Sequence, residues 1–209
     1  NASGSDLGGL WTGSAMPFGS LVGFSESHDE ERTAYKSLSE GVSSVKNSLK
    51  ARMQRESLCG AFLLCVPGPK MLWQFQELGY DVSIDEGGRT GRKPVHWEYL
   101  DDPDRKRLHD DYRTILKFRN DNPEFFDESA SVSLKVGTSS WNNGKTISIS
   151  ASGKTFILVG NFNTNDSTID VSFPSEGTWT NLQDPGESYT GSSASLSMEA
   201  AQWKIFINW

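Results

Sequence analysis

Apolar positions in the first half of the chain follow two spacings. Residues 21–24 and 71–75 are short, nearly continuous apolar runs of the kind that form buried strands. Between them, from residue 42 to residue 64, apolar residues recur at the spacing of one helix face. Pro67 lies just after this segment, and proline cannot continue a helix. The pattern predicts a strand, a long helix over 42–64 and a second strand.

A second helix is predicted further along the chain. Asp102 offers a side-chain acceptor at the N-cap position, and Pro103 suits the first turn. The helix should end before Pro123, because the residue before a proline disfavours helical geometry. Its inner face is predicted to contain Leu108, Tyr112, Ile115 and Leu116. The order strand, helix, strand, helix predicts two parallel strands, which are too few for a complete parallel sheet.

The pattern changes near Asn122-Pro123, which marks a predicted domain boundary. After about residue 129, Ser, Thr, Gly and Asn separate short runs of alternating apolar and polar residues. Residues 156–159 are continuously apolar and predict a central strand, and Asn143-Gly144 predicts a two-residue hairpin. Inward-facing positions are predicted at Val132, Leu134, Val136, Ile147, Ile149, Ile169, Val171 and Phe173. About six to eight such strands predict an antiparallel sandwich.

Composition and charge narrow the function classes. The 209 residues carry a formal charge of −7, which argues against an extended phosphate-binding surface, so no nucleic-acid partner is expected. No run of about 18 apolar residues occurs, so no membrane span is expected. No cluster has metal-ligand character, and neither a metal nor a cofactor is predicted. Cys59 and Cys65 lie about 9 Å apart along the predicted helix, beyond disulfide reach, and are predicted to be buried free thiols.

Candidate chemistry lies at the end of the first predicted strand, where residues 23–32 are rich in polar side chains. In α/β barrels, catalytic side chains are displayed at the carboxyl ends of strands. An Asp at position 29 can hold sugar hydroxyls, and a neutral His28 can donate to another. The alternative is structural, because Ser27 and Glu30 have capping-box spacing and Asp29 could cap a helix. A His-Asp dipeptide by itself is not specific.

The residues around this pair make the signal more specific. Phe24 is followed, after three residues, by His28-Asp29, and this segment resembles the fourth conserved region of glycoside hydrolase family 13, the α-amylase family. Ser27 stands where that family usually has Asn. Further along, Pro67-Gly68 and residues 76–79 resemble, more loosely, the signature of the family's eighth barrel strand. The resemblance covers about residues 20–123.

The resemblance implies a fold and its division into domains. Residues 1–123 would be an α/β remnant, the last two βα units of a TIM barrel, and residues 124–209 an all-β antiparallel sandwich in the place of the family's domain C. The parent protein would be a retaining enzyme that hydrolyses α-1,4-glucosidic bonds in starch-type substrates. Asp29 would be the catalytic carboxylate that grips hydroxyls of the reacting sugar, and His28 would bind the same sugar.

The family's nucleophile and acid/base lie on earlier strands, and no motif for either occurs upstream of residue 20. The chain alone is therefore expected to be inactive. A branching or transglycosylating enzyme of the same family shares the His-Asp pair and remains an alternative. So does a carbohydrate-binding or interaction module built on the sandwich, whose candidate sugar platforms are Trp141, Trp179, Trp203 and Trp209.

Two further expectations follow from the resemblance. The excised barrel strands would expose unpaired edges, and helix residues such as Phe62 and Leu63 would face water, so self-association through the barrel edge is expected. Polysaccharide substrates and a Ser-, Thr- and Asn-rich sandwich favour a secreted or periplasmic enzyme, although the cysteines do not settle the compartment.

Overall fold

The computed structural model describes residues 6–11, 17–137 and 144–209. Its helices come first and its strands second. The helices are α1 (Thr33–Glu40), α2 (Ser43–Lys46), α3 (Leu49–Leu64) and α4 (Pro103–Asp121), with short 3-10 turns at Gly8–Leu10, Gln76–Leu78, Trp97–Asp101 and Pro123–Phe125. The strands are β1 (Ser131–Lys135), β2 (Lys145–Ala151), β3 (Lys154–Gly160), β4 (Ser167–Ser172), β5 (Thr178–Asn181), β6 (Ser188–Thr190), β7 (Ser193–Met198) and β8 (Trp203–Ile207).

The predicted helix over 42–64 is present but interrupted. The chain leaves helical geometry between α2 and α3, and the Ser48 hydroxyl caps α3 by accepting a bond from the Ala51 amide at 3.2 Å. Serine favours such a cap over a helix interior because its hydroxyl competes for backbone groups. The second predicted helix is confirmed as α4, whose N-cap Asp102 accepts from the amides of Asp104 and Arg105 at 2.9 and 3.1 Å.

The two predicted parallel strands are wrong as strands. Their direction is parallel, but the contact is a single bridge between Gly23 and Lys70. The Gly23 amide donates to the Pro69 carbonyl, and the Met71 amide donates to the Gly23 carbonyl, both at 3.0 Å. Leu21 is 60% exposed rather than buried. Within the described residues neither segment pairs with another strand, and an isolated pair has too few hydrogen bonds and too little packing to form a sheet.

The second half forms two antiparallel sheets, as predicted. The six-stranded sheet has the order β1-β2-β3-β8-β5-β6, and β4 pairs with β7 in a two-stranded sheet. Strand β3 is central, and its residues 156–159 are all buried. Lys135 pairs with Thr146, so ten residues separate the β1 and β2 partners, more than a two-residue hairpin would contain. Asn143, half of the predicted hairpin, lies outside the described residues, as does Trp141.

Apolar side chains fill the space between the two sheets. The residues of this cluster are Ile157, Val159, Ile169, Val171, Phe173, Trp179, Leu196, Met198 and Phe206. Trp179 is buried in this cluster, and Trp203 is buried on the opposite face of the six-stranded sheet.

The opposite face of the six-stranded sheet packs against the helices. Gly160 on β3 allows this close approach, because a Cβ atom there would lie 2.5 Å from Phe62 and 2.7 Å from Leu58. The Trp203 indole donates to the Ser57 hydroxyl at 2.7 Å, across the same interface. One continuous core therefore includes residues from α3, α4 and the sheet.

Three predictions of exposure need correction. Phe62 and Leu63 do not face water: Phe62 is buried in the core that α3 shares with α4 and the sheet, and Leu63 is buried next to Gly23. Cys59 is exposed, whereas Cys65 is buried as predicted.

No helix within the described residues has the length and hydropathy required to cross a membrane.

Candidate functional site

His28 and Asp29 line an open cleft of about 560 Å³. The other lining residues are Ser27, Arg32, Trp73, Gln74, Ile84, Arg89, Thr90, Gly91, Arg92 and Lys93. They come from three stretches of chain: the segment after Gly23, the segment after Lys70, and the loop before the helical turn at Trp97. Because Gly23 and Lys70 form the parallel bridge, the first two stretches leave the bridge in the same direction and meet in the cleft.

The local structure around His28 and Asp29 excludes the helix-capping alternative. Helix α1 begins at Thr33, and its N-cap residue, Arg32, makes no side-chain cap. Asp29 does not cap this helix; its amide donates to the Ser27 hydroxyl at 3.1 Å, which closes a local turn. The Asp29 carboxylate is therefore not used by a helix end.

The His-Asp pair is presented to solvent. The His28 Nε2 lies 3.0 Å from the Asp29 Oδ2, and the two side chains are 70% and 69% exposed. The His28 ring also lies 5.7 Å, centroid to centroid, from the ring of Trp73. Behind the pair, the Arg89 guanidinium donates to the Asp29 backbone carbonyl at 2.6 Å. This arrangement offers a carboxylate acceptor and an imidazole next to an aromatic wall, a combination suited to a polyhydroxylated ligand.

A buried ion pair stabilises the segment that carries His28 and Asp29. Arg32 Nη1 lies 3.4 Å from Glu26 Oε1 and donates to the Gln74 carbonyl at 3.1 Å. Burial raises the pKa of Glu26, while hydrogen bonds from Thr33 and the charge of Arg32 act in the opposite direction. The guanidinium also lies 4.9 Å from the centroid of the Tyr80 ring. Arg32 therefore ties the segment carrying His28 and Asp29 to the segment after Lys70.

A second buried carboxylate lies next to this pair. Glu56 on α3 is hydrogen-bonded by the hydroxyls of Thr33 and Ser37, the latter at 3.4 Å. The Thr33 hydroxyl also lies 3.2 Å from Glu26 Oε2. Burial and, to a lesser extent, the nearby charge of Glu26 together raise the pKa of Glu56 to about 7, against the opposing effect of its hydrogen bonds from Thr33 and Ser37. The beginning of α1 is thus held between two carboxyl groups.

Gln76 connects the same segments from the other side. Its side-chain amide donates to the Ser25 hydroxyl at 2.7 Å and to the Tyr112 hydroxyl at 2.9 Å. Gln76 belongs to the second motif found in the sequence, and its contacts give that motif a structural role. Gly60 faces the Tyr112 ring so closely that a Cβ atom would lie 2.6 Å from it. The network is therefore tightly enclosed.

The sequence motifs did not include the basic loop that forms one wall of the cleft. This loop turns at Gly87 and Gly88, whose φ angles of 66° and 87° are left-handed. Lys93 Nζ donates to the carbonyls of Glu86 and Gly88 at 2.8 and 2.7 Å. Paired glycines followed by Arg89 were the available signal, but the contact with Asp29 spans 60 positions and no local pattern reveals it.

Several solved structures are similar to this chain. No family model and no curated sequence matches the chain. An α-amylase from Geobacillus thermoleovorans in complex with acarbose has 13% identity and a TM-score of 0.63 over 88% of this chain and 38% of its own. An Anoxybacillus α-amylase has 14% identity and a TM-score of 0.62 over 88% and 37%. A debranching enzyme from Nostoc punctiforme has 16% identity and a TM-score of 0.53 over 88% and 32%.

The fold of this chain is similar to one part of these α-amylase structures. Its mixed helical and antiparallel-sheet structure is similar to the C-terminal region of α-amylases. It spans about 38% of the length of the first of these structures, so the likeness concerns one part of those proteins.

Proposed function

We propose that this chain is the C-terminal part of a retaining α-glucan hydrolase of the α-amylase family, glycoside hydrolase family 13. Residues 1–123 correspond in this proposal to the last two βα units of the catalytic barrel, and residues 124–209 to domain C. The likeness in fold and the two sequence motifs support it. The substrate is an α-glucan of the starch or glycogen type.

The observation that carries the proposal is the position of His28 and Asp29. They follow Gly23 by five and six residues, while Trp73 and Gln74 follow its bridge partner, Lys70, by three and four. Both groups line the same cleft at the carboxyl ends of two parallel segments, which is where (β/α)8 enzymes hold their substrates. Asp29 accepts hydrogen bonds from hydroxyls of the reacting sugar, and His28 binds the same sugar.

The chain by itself is proposed to be catalytically inactive. A retaining mechanism requires two carboxyl groups about 5 Å apart on either side of the scissile bond, in addition to a substrate-gripping Asp. Among the described residues that line the cleft, Asp29 is the one acid. Glu26 is buried against Arg32, and Glu31 accepts bonds from the Ser83 hydroxyl and the Ile84 amide at 2.8 and 2.9 Å. Neither glutamate is available to attack a sugar.

The first test measures binding and turnover by the purified chain. Addition of maltohexaose should shift the NMR signals of the His28 imidazole and the Trp73 indole, because both rings line the cleft. Asp29→Asn should weaken binding, since it replaces a charged acceptor with a neutral one. Asp101→Asn is a matched control, as Asp101 is exposed at the end of the turn at Trp97–Asp101.

Turnover supplies the second part of this test. The chain should not hydrolyse starch or an aryl maltoside above background, because removing the members of a catalytic unit costs many orders of magnitude in rate. Turnover by the purified chain that is lost in Asp29→Asn would contradict the proposal that the chain alone is catalytically inactive. Shifts confined to the sandwich would instead favour a carbohydrate-binding module, for which Trp209 offers an exposed ring whereas Trp179 and Trp203 are buried.

A further inference from the structure

The charge of the cleft differs from that of the molecule. The protein carries a formal charge of −7, yet four of the residues that line the cleft are basic: Arg32, Arg89, Arg92 and Lys93. Asp29 is the one acid among the described lining residues. Clefts lined by charge of one sign concentrate the electrostatic field and attract ligands of the opposite sign.

Three of the four basic residues have no carboxylate partner within the described part of the chain. Arg32 is the exception, since it is buried against Glu26. Arg89 donates to the Asp29 backbone carbonyl, and Lys93 donates to the carbonyls of Glu86 and Gly88. Because these acceptors are uncharged, the positive charges of Arg89 and Lys93 are not neutralised. Arg92 is exposed and makes no hydrogen bond or ion pair to any described residue. The wall formed by the loop is therefore positively charged.

The charged loop is held firmly against the cleft. At the beginning of the loop, the Glu31 carboxylate accepts hydrogen bonds from the Ser83 hydroxyl and the Ile84 amide. At the other end, the Tyr80 hydroxyl donates to the Pro94 carbonyl at 2.6 Å. Within the loop, the Gly91 amide donates to the Gly88 carbonyl at 2.9 Å. These contacts hold the backbone of the loop, and the hydrogen bonds of Arg89 and Lys93 hold two of its three charged side chains, so a ligand need not pay the full entropic cost of ordering the loop.

We propose that the cleft takes an α-glucan that bears an anionic group, a phosphate monoester or a carboxylate. Arg89, Arg92 and Lys93 contact the anion, while His28 and Asp29 contact the sugar hydroxyls. A guanidinium fits the paired oxygens of either anion, and Arg92 is free to provide this contact. The inference rests on the proposed α-glucan function and specifies the substrate class of the same cleft.

The test compares ligands of equal length by isothermal titration calorimetry of the purified chain. The probes are maltohexaose, maltohexaose carrying one 6-phosphate, maltohexaose ending in a glucuronate, and inorganic phosphate. At about 50 mM salt, at least one anionic oligomer should bind about tenfold more tightly than maltohexaose, because charge-assisted hydrogen bonds are the stronger kind. This advantage should shrink at about 0.5 M salt, where exposed charges are screened. The phosphate and glucuronate probes identify which anion is preferred.

Charge variants locate the effect. Arg92→Gln should remove most of the advantage of the anionic oligomer over maltohexaose, whereas Arg92→Lys should retain part of it. Arg113→Gln is the matched control, since Arg113 is an exposed arginine on α4 outside the lining of the cleft. Circular dichroism should show the same fold for all three variants.

Each alternative result has a distinct meaning. Equal affinity for neutral and anionic oligomers, or an advantage that Arg92→Gln leaves intact, would overturn the anionic inference and leave the α-glucan proposal standing. Inorganic phosphate binding as tightly as the phosphorylated oligomer would show a simple anion site and would also overturn it. Failure of every oligosaccharide to bind would contradict both proposals.

Discussion

At the scale of single residues, the most informative contact is the Thr33 hydroxyl between Glu26 and Glu56. This hydroxyl carries one proton, so it can donate to only one of the two carboxylates. Both contacts can be hydrogen bonds only if one carboxyl group is protonated and donates to Thr33. Glu26 has Arg32 beside it, whereas burial raises the pKa of Glu56 to about 7. Glu56 is therefore the group that carries the proton in the folded protein at mildly acidic pH.

This arrangement predicts that stability depends on pH. Between the unfolded pKa of about 4.3 and the folded pKa of about 7, the folded state holds an extra proton at Glu56. The free energy of unfolding should therefore fall as the pH rises through this window, and this contribution should be constant above it. Glu56→Gln resembles the protonated acid, so its stability relative to the wild type should rise between pH 5 and pH 8, by about 2 kcal/mol.

Urea unfolding at the two pH values measures this difference. Glu40→Gln is the control, because Glu40 is exposed at the end of α1 and its substitution should have a small effect at both pH values. A Glu56→Gln effect that is the same at pH 5 and pH 8 would refute the shared-proton interpretation.

At the scale of elements, the sequence predicted those features that depend on residues close together in the chain. Helix α4 was predictable because Asp102 and Pro103 mark its beginning and its apolar face repeats over several turns. The break between α2 and α3 was missed because the apolar spacing continues across it, although Ser48 was an available cap signal. The strand over 21–24 was wrong because an apolar run shows a tendency to be buried but cannot show whether neighbours exist to cover it.

The residues of the candidate site also differ in whether neighbouring positions in the sequence could reveal them. His28 and Asp29 are adjacent and belong to a recognisable motif, so the sequence could identify them. Arg89 and Glu56 contact the site only through the fold, across 60 and 23 positions respectively. Contacts between distant segments depend on tertiary packing, which periodicity and spacing do not encode.

The junction between α3 and β3 makes a further testable case. Gly160→Ala would place a methyl group 2.5 Å from Phe62 and 2.7 Å from Leu58, both of which are buried. Overpacking of this kind should lower the free energy of unfolding by about 1–3 kcal/mol. Gly9→Ala is the control, since nothing lies within 4 Å of a Cβ atom there. Equal stability of the two variants in thermal or urea unfolding would show that the junction has room to adjust.

At the scale of the whole molecule, the helices and the sheet share one core, while the segment around the parallel bridge lies at its margin. Arg55 on α3 donates to the carbonyls of Phe162 and Asn163 at 3.3 and 3.2 Å, which adds a polar connection to the apolar one. Burial of Phe62 and Leu63 removes one predicted source of self-association, because α3 is already covered. The first apolar run remains the exposed surface at this margin.

That surface carries the last prediction, self-association of the chain. Leu21, Val22 and Phe24 are 60%, 51% and 48% exposed, and within the described residues Gly23 pairs on one side only, with Lys70. An apolar segment with an unpaired backbone edge is a template for another strand, and a second copy offers the same edge. Light scattering after size exclusion should show a concentration-dependent dimer. Leu21→Lys should shift it to monomer, because a charge on an edge opposes pairing, whereas Val95→Lys, at a site 54% exposed elsewhere, should not. A structure of the dimer should bury more than about 1,000 Å² in total at this edge, and a monomer at high concentration with residues 17–137 ordered would contradict the prediction.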